Sequence, residues 1–148
     1  MAIIETKDYV FAPKTTLVAG GIVTGYCLGT KKYLFFIPLS KLEGAGDYTT
    51  TTKYRIDGQS IIDGLKMILN NEDMTIPTLE AKIFELFNNW DVDQTVYAVD
   101  ISTLSEFDIK IGFFSKGIYY KTPTQNRRSV LAISGKQTLI GFKNFYGR

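Results

Sequence analysis

Runs of β-branched and aromatic residues alternate with short polar turns early in the chain. Residues 22–28 and 33–37 are two such runs, separated by the polar turn 29–32. These side chains favour extended backbone, so the pattern predicts a hairpin. Residues 49–56 follow the glycine-rich loop 44–46 and predict a further strand, whose four consecutive threonines are typical of a sheet edge.

Two segments in the middle of the chain have apolar residues at helical spacing. Residues 61–69 repeat apolar side chains every three to four positions after Ser60, which predicts an N-capped amphipathic helix. Residues 79–88 show the same spacing after Pro77 and predict a second helix, with Trp90 beyond it closing the core.

The last third of the chain returns to strand patterns. Residues 95–101 and 130–133 each predict a strand, and residues 109–114 with 118–121 predict a hairpin. Its turn, residues 115–117, contains Gly117, which can adopt the positive φ that such a turn needs.

A helix is predicted at the carboxyl-terminal end. Ser134 and Gln137 have the spacing of a capping box, and Leu139, Phe142 and Phe145 form one apolar stripe. Gly147 is the expected C-cap of this helix.

These elements predict a single α+β domain, residues 1–148, in which an antiparallel sheet packs against two to three helices. A faint similarity between residues 22–70 and 109–147 suggests an internal duplication of a hairpin–strand–helix unit. Gly64 and Gly141 fall at matching positions of the two predicted helices. Since glycine costs about 1 kcal/mol against alanine inside a helix, we expect the two helices to approach closely there.

The composition excludes several kinds of chemistry. The chain has no histidine and one cysteine, Cys27, which removes the commonest general base and metal ligand and any internal disulfide. Cys27 lies in an apolar predicted strand without a cationic neighbour, so a packed thiol is expected rather than a nucleophile. We therefore expect no catalytic residue, no metal and no cofactor.

The amino-terminal residues lack a basic region followed by an apolar one, and no apolar run approaches the roughly 18 residues of a membrane span. These features predict a cytoplasmic protein that does not enter a membrane.

Charge is segregated along the chain although the net charge is only +2. Residues 72–108 carry one basic and nine acidic side chains, whereas residues 109–148 carry eight basic side chains and no acidic one. Such segregation favours anion binding or head-to-tail association. Together with the threonine-rich edge, it predicts a homo-oligomer.

The basic carboxyl-terminal segment supplies the candidate ligand-binding residues. Backbone N–H groups and Lys136 at the start of the last helix would attract an anion, although Val130 and Gln137 depart from the P-loop pattern. The preceding loop adds two arginines, and the strand before it adds lysines and stackable rings. The candidates are Lys116, Tyr119, Lys121, Arg127, Arg128, Ser134, Gly135 and Lys136.

These residues favour a small non-catalytic protein that recognises or sequesters an anionic small molecule or nucleic acid, with a nucleotide or nucleic acid as the first hypothesis. An alternative is an inhibitor or immunity-type protein that binds another protein through its acidic residues 91–108.

A second alternative is a Mg²⁺-dependent nuclease. Asp100 on one predicted strand and Asp108-Ile109-Lys110 on the next, after a helix bearing Glu85, resemble the PD-(D/E)xK nucleases. The resemblance implies that Asp100 and Asp108 hold Mg²⁺ at the scissile phosphate while Lys110 helps to activate water. The chain departs from that pattern because no proline precedes Asp100 and no strand follows the last helix.

Overall fold

The computed structural model of the protein describes residues 8–19, 22–41, 75–89, 94–113 and 115–147. Its strands are β1 (Val10–Val18), β2 (Ile22–Gly29), β3 (Tyr33–Lys41), β4 (Ala98–Asp100), β5 (Glu106–Ile111), β6 (Lys116–Lys121) and β7 (Ser129–Ile133). Its helices are α1 (Ile76–Asn89), the four-residue α2 (Gln94–Tyr97) and α3 (Lys136–Tyr146), with a 3₁₀ turn at Ile101–Thr103.

The seven strands form one antiparallel sheet in the order β4-β3-β2-β1-β7-β6-β5. β1 pairs with β2 on one side and with β7 on the other, so it joins the amino-terminal strands to the carboxyl-terminal ones. The predicted hairpin of β2 and β3 is confirmed, with Leu28 opposite Phe35. The α+β class and the antiparallel sheet are therefore as predicted.

The sheet is curled because the chain connects its two edge strands directly. β4 and β5 stand at opposite ends of the strand order, yet only residues 101–105 separate them in sequence. Six strand spacings of about 4.8 Å would set the edges of a flat sheet about 29 Å apart. Six residue steps reach at most about 22 Å. The two edges must therefore bend toward each other.

Alternate side chains divide between two faces of the sheet. We call the side that bears Leu17, Ile118 and Leu131 the inner face, and the side that bears Thr16 and Tyr119 the outer face. Helix α3 packs on the inner face, where its Leu139 and Phe142 are buried. Burying a side chain of this size stabilises the fold by about 1.5–3 kcal/mol.

The last turn of α3 contacts the sheet through a residue that the sequence pattern did not include. The Tyr146 ring lies 5.2 Å from the Phe107 ring of β5, measured between centroids. The predicted stripe residue Phe145 instead lies beneath Lys31, whose Nζ is 3.9 Å from its ring centroid. Lys143 Nζ donates to the Ile109 carbonyl of the edge strand β5 at 3.1 Å. These contacts hold the helix against one edge of the sheet.

Helix α1 covers the other end of the sheet on its outer face. Phe84 and Phe87 of α1 meet Phe35 of β3, with ring centroids 5.4 and 6.2 Å apart. Leu79, Ile83 and Phe87 are buried at the four-residue spacing predicted for this helix.

The turn between β2 and β3 connects both long helices through one residue, Thr30, which is fully buried. Its Oγ1 donates to Glu80 Oε2 of α1 at 2.6 Å, and its carbonyl oxygen accepts from Tyr146 Oη of α3 at 2.8 Å. Helices on opposite faces of the sheet are thus tied to the same turn.

Residues 95–101 do not form the single strand predicted for them. Helix α2 occupies the first part, and only Ala98–Asp100 pair with β3. The strand ends there because the Asp100 carboxylate accepts hydrogen bonds from the backbone N and Oγ of Ser102, at 3.0 and 2.7 Å, and so opens the 3₁₀ turn.

Two glycines show where local patterns misled the prediction. Gly135, and not Ser134, is the N-cap of α3, and no side-chain hydrogen bond caps the helix, so the capping box is wrong. Gly117 lies inside β6 rather than in the turn, with φ 134°. A Cβ built on Gly141 would meet no atom within 4 Å. The close contact expected there involves the helix 61–69, which lies outside the described residues, so it stays a prediction. Gly147 is confirmed as a left-handed C-cap.

Several predicted features lie outside the described residues. They are the strand 49–56, the helix 61–69 with Gly64, and Trp90. The internal duplication stays a prediction, because residues 42–70 of its first unit are among them. None of the helices in the described ranges is long and apolar enough to cross a membrane.

Candidate functional site

The structure separates the predicted ligand-binding residues into two groups. β6 and β7 run antiparallel with Tyr119 opposite Val130. One end of this strand pair carries Lys121, Arg127 and Arg128, and the other end carries Lys116, Ser134, Gly135 and Lys136. The anion-binding hypothesis requires the cations of the carboxyl-terminal segment to lie together at one point. The structure instead places them at the two ends of this strand pair.

One group of cations surrounds the ring of Tyr119 on the outer face. Lys110 Nζ lies 5.1 Å from the ring centroid and Arg128 Cζ lies 5.3 Å from it. Both distances are within the range of cation–π attraction. We call Lys110, Tyr119 and Arg128 the Tyr119 cluster. It combines an aromatic ring with two positive charges on a partly exposed part of the sheet.

The strand register explains how Lys110 reaches the ring. Lys110 of β5 stands opposite Gly117 of β6, and Tyr119 is the next residue of β6 on the same face. Because Gly117 has no side chain, the lysine stem can cross it toward the diagonal neighbour, which long side chains reach in antiparallel sheets. A Cβ at Gly117 would also lie 2.7 Å from the Leu131 carbonyl oxygen.

Carboxylates moderate the charge of the cluster. Arg128 Nε lies 3.9 Å from Glu106 Oε2, and both side chains are about half exposed, at 49% and 50%. Such exposed pairs contribute about 0–1 kcal/mol, so this one orients Arg128 and leaves it available to a stronger anion. Within the described part of the chain, no other predicted cation has a carboxylate within 4 Å.

A groove of about 430 Å³ opens beside the irregularity in β1 between Ala12 and Thr15. Thr16 pairs with Thr24 of β2 and with Ala132 of β7, and all three line the groove. These three outer-face residues are exposed or partly exposed, whereas the inner-face lining residues Thr15 and Gly25 are buried. The mouth of the groove therefore lies on the same outer face as the Tyr119 cluster. The other lining residues are Pro13, Lys14, Thr15, Gly25, Ile133 and Ser134.

Two backbone features shape this groove. The Ser134 backbone N donates to the Lys14 carbonyl oxygen at 2.9 Å, which holds the end of β7 against the irregular part of β1. At Gly25 a Cβ would lie 2.2 Å from the Ile37 carbonyl oxygen. Only glycine allows β2 and β3 to approach so closely there.

The inner face buries its titratable groups. Cys27 is fully buried, as predicted for a packed thiol, and burial raises its pKa. Burial likewise raises the pKa of the Tyr120 and Tyr146 phenols. A buried thiol with a raised pKa is a poor nucleophile, so this face has a structural role.

The residues of the nuclease hypothesis are placed on different strands. Asp100 ends β4, whereas Asp108 and Lys110 lie in β5, and these two edge strands do not pair. The hydrogen bond from the Ser102 hydroxyl lowers the pKa of the Asp100 carboxyl and engages this carboxylate within its own turn. The described residues contain no group of three or more His, Cys, Asp or Glu side chains that could hold a metal. The nuclease hypothesis therefore gains no geometric support.

Two cationic residues of this outer surface, Lys110 and Lys14, were not predicted to bind the ligand. Lys110 was considered only for the nuclease alternative, although its strand was predicted to pair with the strand of Tyr119, which would have placed the two residues close together. Lys14 carried no signal, because Pro13 interrupts the strand pattern of β1. The protein-partner alternative stays a prediction, and residues 91–93 of its acidic segment lie outside the described ranges. No family model, curated protein or solved structure matches the chain.

Proposed function

We propose that the protein is a non-catalytic cytoplasmic binding protein that recognises an anionic ligand, a nucleotide or a nucleic acid, on the outer face of β5, β6 and β7. The observation that carries the proposal is the Tyr119 ring with Lys110 Nζ and Arg128 Cζ each within 5.3 Å of its centroid. Both cations lie over the ring, so a base that stacks on it would displace one of them toward the phosphate that accompanies the base.

The surroundings of the Tyr119 cluster favour recognition over turnover. The chain has no histidine, and its one thiol is buried on the inner face. Glu106 is held near Arg128, and Asp108 stands opposite Tyr119 in the register. An arginine and a lysine on an aromatic ring bind an anion without any group activated for covalent chemistry.

A binding titration at two salt concentrations tests the proposal, with a fluorescent single-stranded oligonucleotide and a mononucleotide as probes. Tyr119→Ala should weaken oligonucleotide binding by about 5- to 150-fold, because stacking one base contributes about 1–3 kcal/mol. Tyr119→Phe keeps the ring and should bind like the wild type. Arg128→Gln should reduce the salt dependence of log K by about 0.7, the value for one phosphate contact on a single strand.

Lys82→Gln is the matched control for charge. Lys82 lies on α1, its side chain is 49% exposed, and its Nζ is 3.8 Å from Glu85 Oε2. The substitution removes one positive charge away from the Tyr119 cluster, so it should leave both affinity and salt dependence unchanged. Absence of binding to either probe, or binding that Tyr119→Ala does not weaken, would refute the proposed function.

A further inference from the structure

We infer that the ligand is a single-stranded nucleic acid that spans the outer face, with a base on Tyr119 and the next part of the strand in the groove beside β1. This inference rests on the proposed function of the Tyr119 cluster and adds a second subsite to it. The groove residues assigned to the strand are Lys14, Thr16, Thr24 and Ser134.

The two subsites are continuous along the sheet. Tyr119 stands opposite Val130 of β7, and Val130 stands opposite Val18 of β1. The groove begins two residues further along those strands, at the pair of Thr16 and Ala132. One strand spacing and two residue rises separate Tyr119 from Ala132, and a second spacing reaches Thr16, which gives about 8 and 12 Å. A ligand stacked on the ring must extend across this distance to fill the groove.

The chemistry of the groove complements a sugar-phosphate backbone. Lys14 supplies an ammonium group, and the hydroxyls of Thr16, Thr24 and Ser134 can donate to phosphate oxygens. None of the nine lining residues is acidic, whereas the Tyr119 cluster has Glu106 at its border. Pro13, Ala132 and Ile133 add apolar wall against which a sugar or base can pack.

Stacking on Tyr119 selects single strands over duplexes. The ring lies on the surface of a sheet, where it can meet only a base whose face is exposed. Bases of a duplex are stacked on each other, and their faces are not offered to a protein surface. Because the two subsites lie on the same outer face, only a single strand long enough to span the distance between them can contact both.

A length series tests the inference, with a mononucleotide, a dinucleotide, a tetranucleotide and an octanucleotide of one sequence, and a duplex of the octanucleotide. Affinity should rise at least about tenfold from the mononucleotide to the tetranucleotide, because the longer ligand occupies both subsites and each further stacked base adds about 1–3 kcal/mol. Lys14→Gln should lower tetranucleotide affinity and reduce its salt dependence by about 0.7. It should leave mononucleotide affinity unchanged. Thr24→Val should weaken the tetranucleotide without changing net charge.

The outcomes distinguish this inference from the proposed function. If Tyr119→Ala weakens binding but length and Lys14→Gln have no effect, the second subsite is refuted and the Tyr119 cluster stands. Tighter binding of the duplex than of the single strand would also overturn the inference. If no probe binds at all, the proposed function fails and the inference fails with it. Lys82→Gln should again behave like the wild type in every arm.

Discussion

Tyr119 and Tyr120 are neighbours in β6, yet they belong to different environments. Tyr120 is 4% exposed on the inner face, where burial raises its pKa. Tyr119 lies on the outer face, with Lys110 and Arg128 against its ring. The alternation of a strand and the position of α3 produce this difference. An aromatic-rich sequence therefore divides into rings that build the core and rings that can meet a ligand.

The two faces of the sheet around these tyrosines differ in the same way. The inner face gathers apolar residues under α3, whereas the outer face of β5, β6 and β7 carries charged side chains and a partly exposed ring. Substitutions on the inner face should change stability, and those on the outer face of β5, β6 and β7 should change binding.

The largest expected effect is on the inner face. Phe142→Ala should lower the free energy of unfolding by about 3–5 kcal/mol, because it leaves a cavity beneath α3. Tyr119→Ala should lower it by less than about 1 kcal/mol. Urea denaturation of the two variants beside the wild type measures both values. Similar losses for both would show that the faces do not differ in this way.

An intermediate effect is expected at alkaline pH. Burial raises the folded-state pKa of Cys27 above its ordinary value of 9.0, and that of Tyr120 and Tyr146 above 10.0. These groups stabilise the fold fully below those ordinary values, and the stability is lost as pH rises above them. Each group should cost about 1.4 kcal/mol per pH unit there. Denaturation across this range measures the slope.

Single variants separate the contributions to this alkaline loss. Cys27→Ala should remove the fall in stability that begins near the ordinary thiol pKa. It should keep the later fall, which begins near the ordinary phenol pKa of the buried tyrosines. Tyr146→Phe should reduce the later fall only. A Cys27→Ala protein with the same early slope as the wild type would exclude the buried thiol as its cause.

The smallest effect is expected on the solvent side of α3. Gly141→Ala should raise the free energy of unfolding by about 0.5–1 kcal/mol, because alanine favours a helix and a Cβ there meets no atom within 4 Å. Gly25→Ala is the contrast, since its Cβ would collide with the Ile37 carbonyl and should destabilise the protein. A loss of stability in Gly141→Ala would contradict the open space at this position.

Local patterns predicted much of the fold, and nonlocal features were missed. The hairpin of β2 and β3, helix α1 and helix α3 follow from alternation and helical spacing. β1 was missed although it is the central strand, because Pro13 and the register shift after Ala12 interrupt its alternation. Residues 95–97 belong to a predicted strand but form part of a helical turn, Gln94–Tyr97, which buries Tyr97 against Phe36, a contact that no local pattern encodes.

The candidate site was predictable only in part for the same reason. Tyr119 and Arg128 were predicted as candidates because their segment of the sequence is basic and aromatic. The groove depends on how β1, β2 and β7 align, which places Lys14 beside Ser134 although more than a hundred residues separate them. No spacing within the sequence specifies that alignment.

Thr30 makes the two halves of the molecule cooperative. If α3 detached, the Thr30 carbonyl would lose its bond from Tyr146, at a cost of about 1–3 kcal/mol. If α1 detached, the Thr30 hydroxyl would lose Glu80 and keep only its contacts with Tyr33. Local opening on one side therefore weakens the anchorage of the other. A protein held in this way loses its helices together rather than fraying from one end.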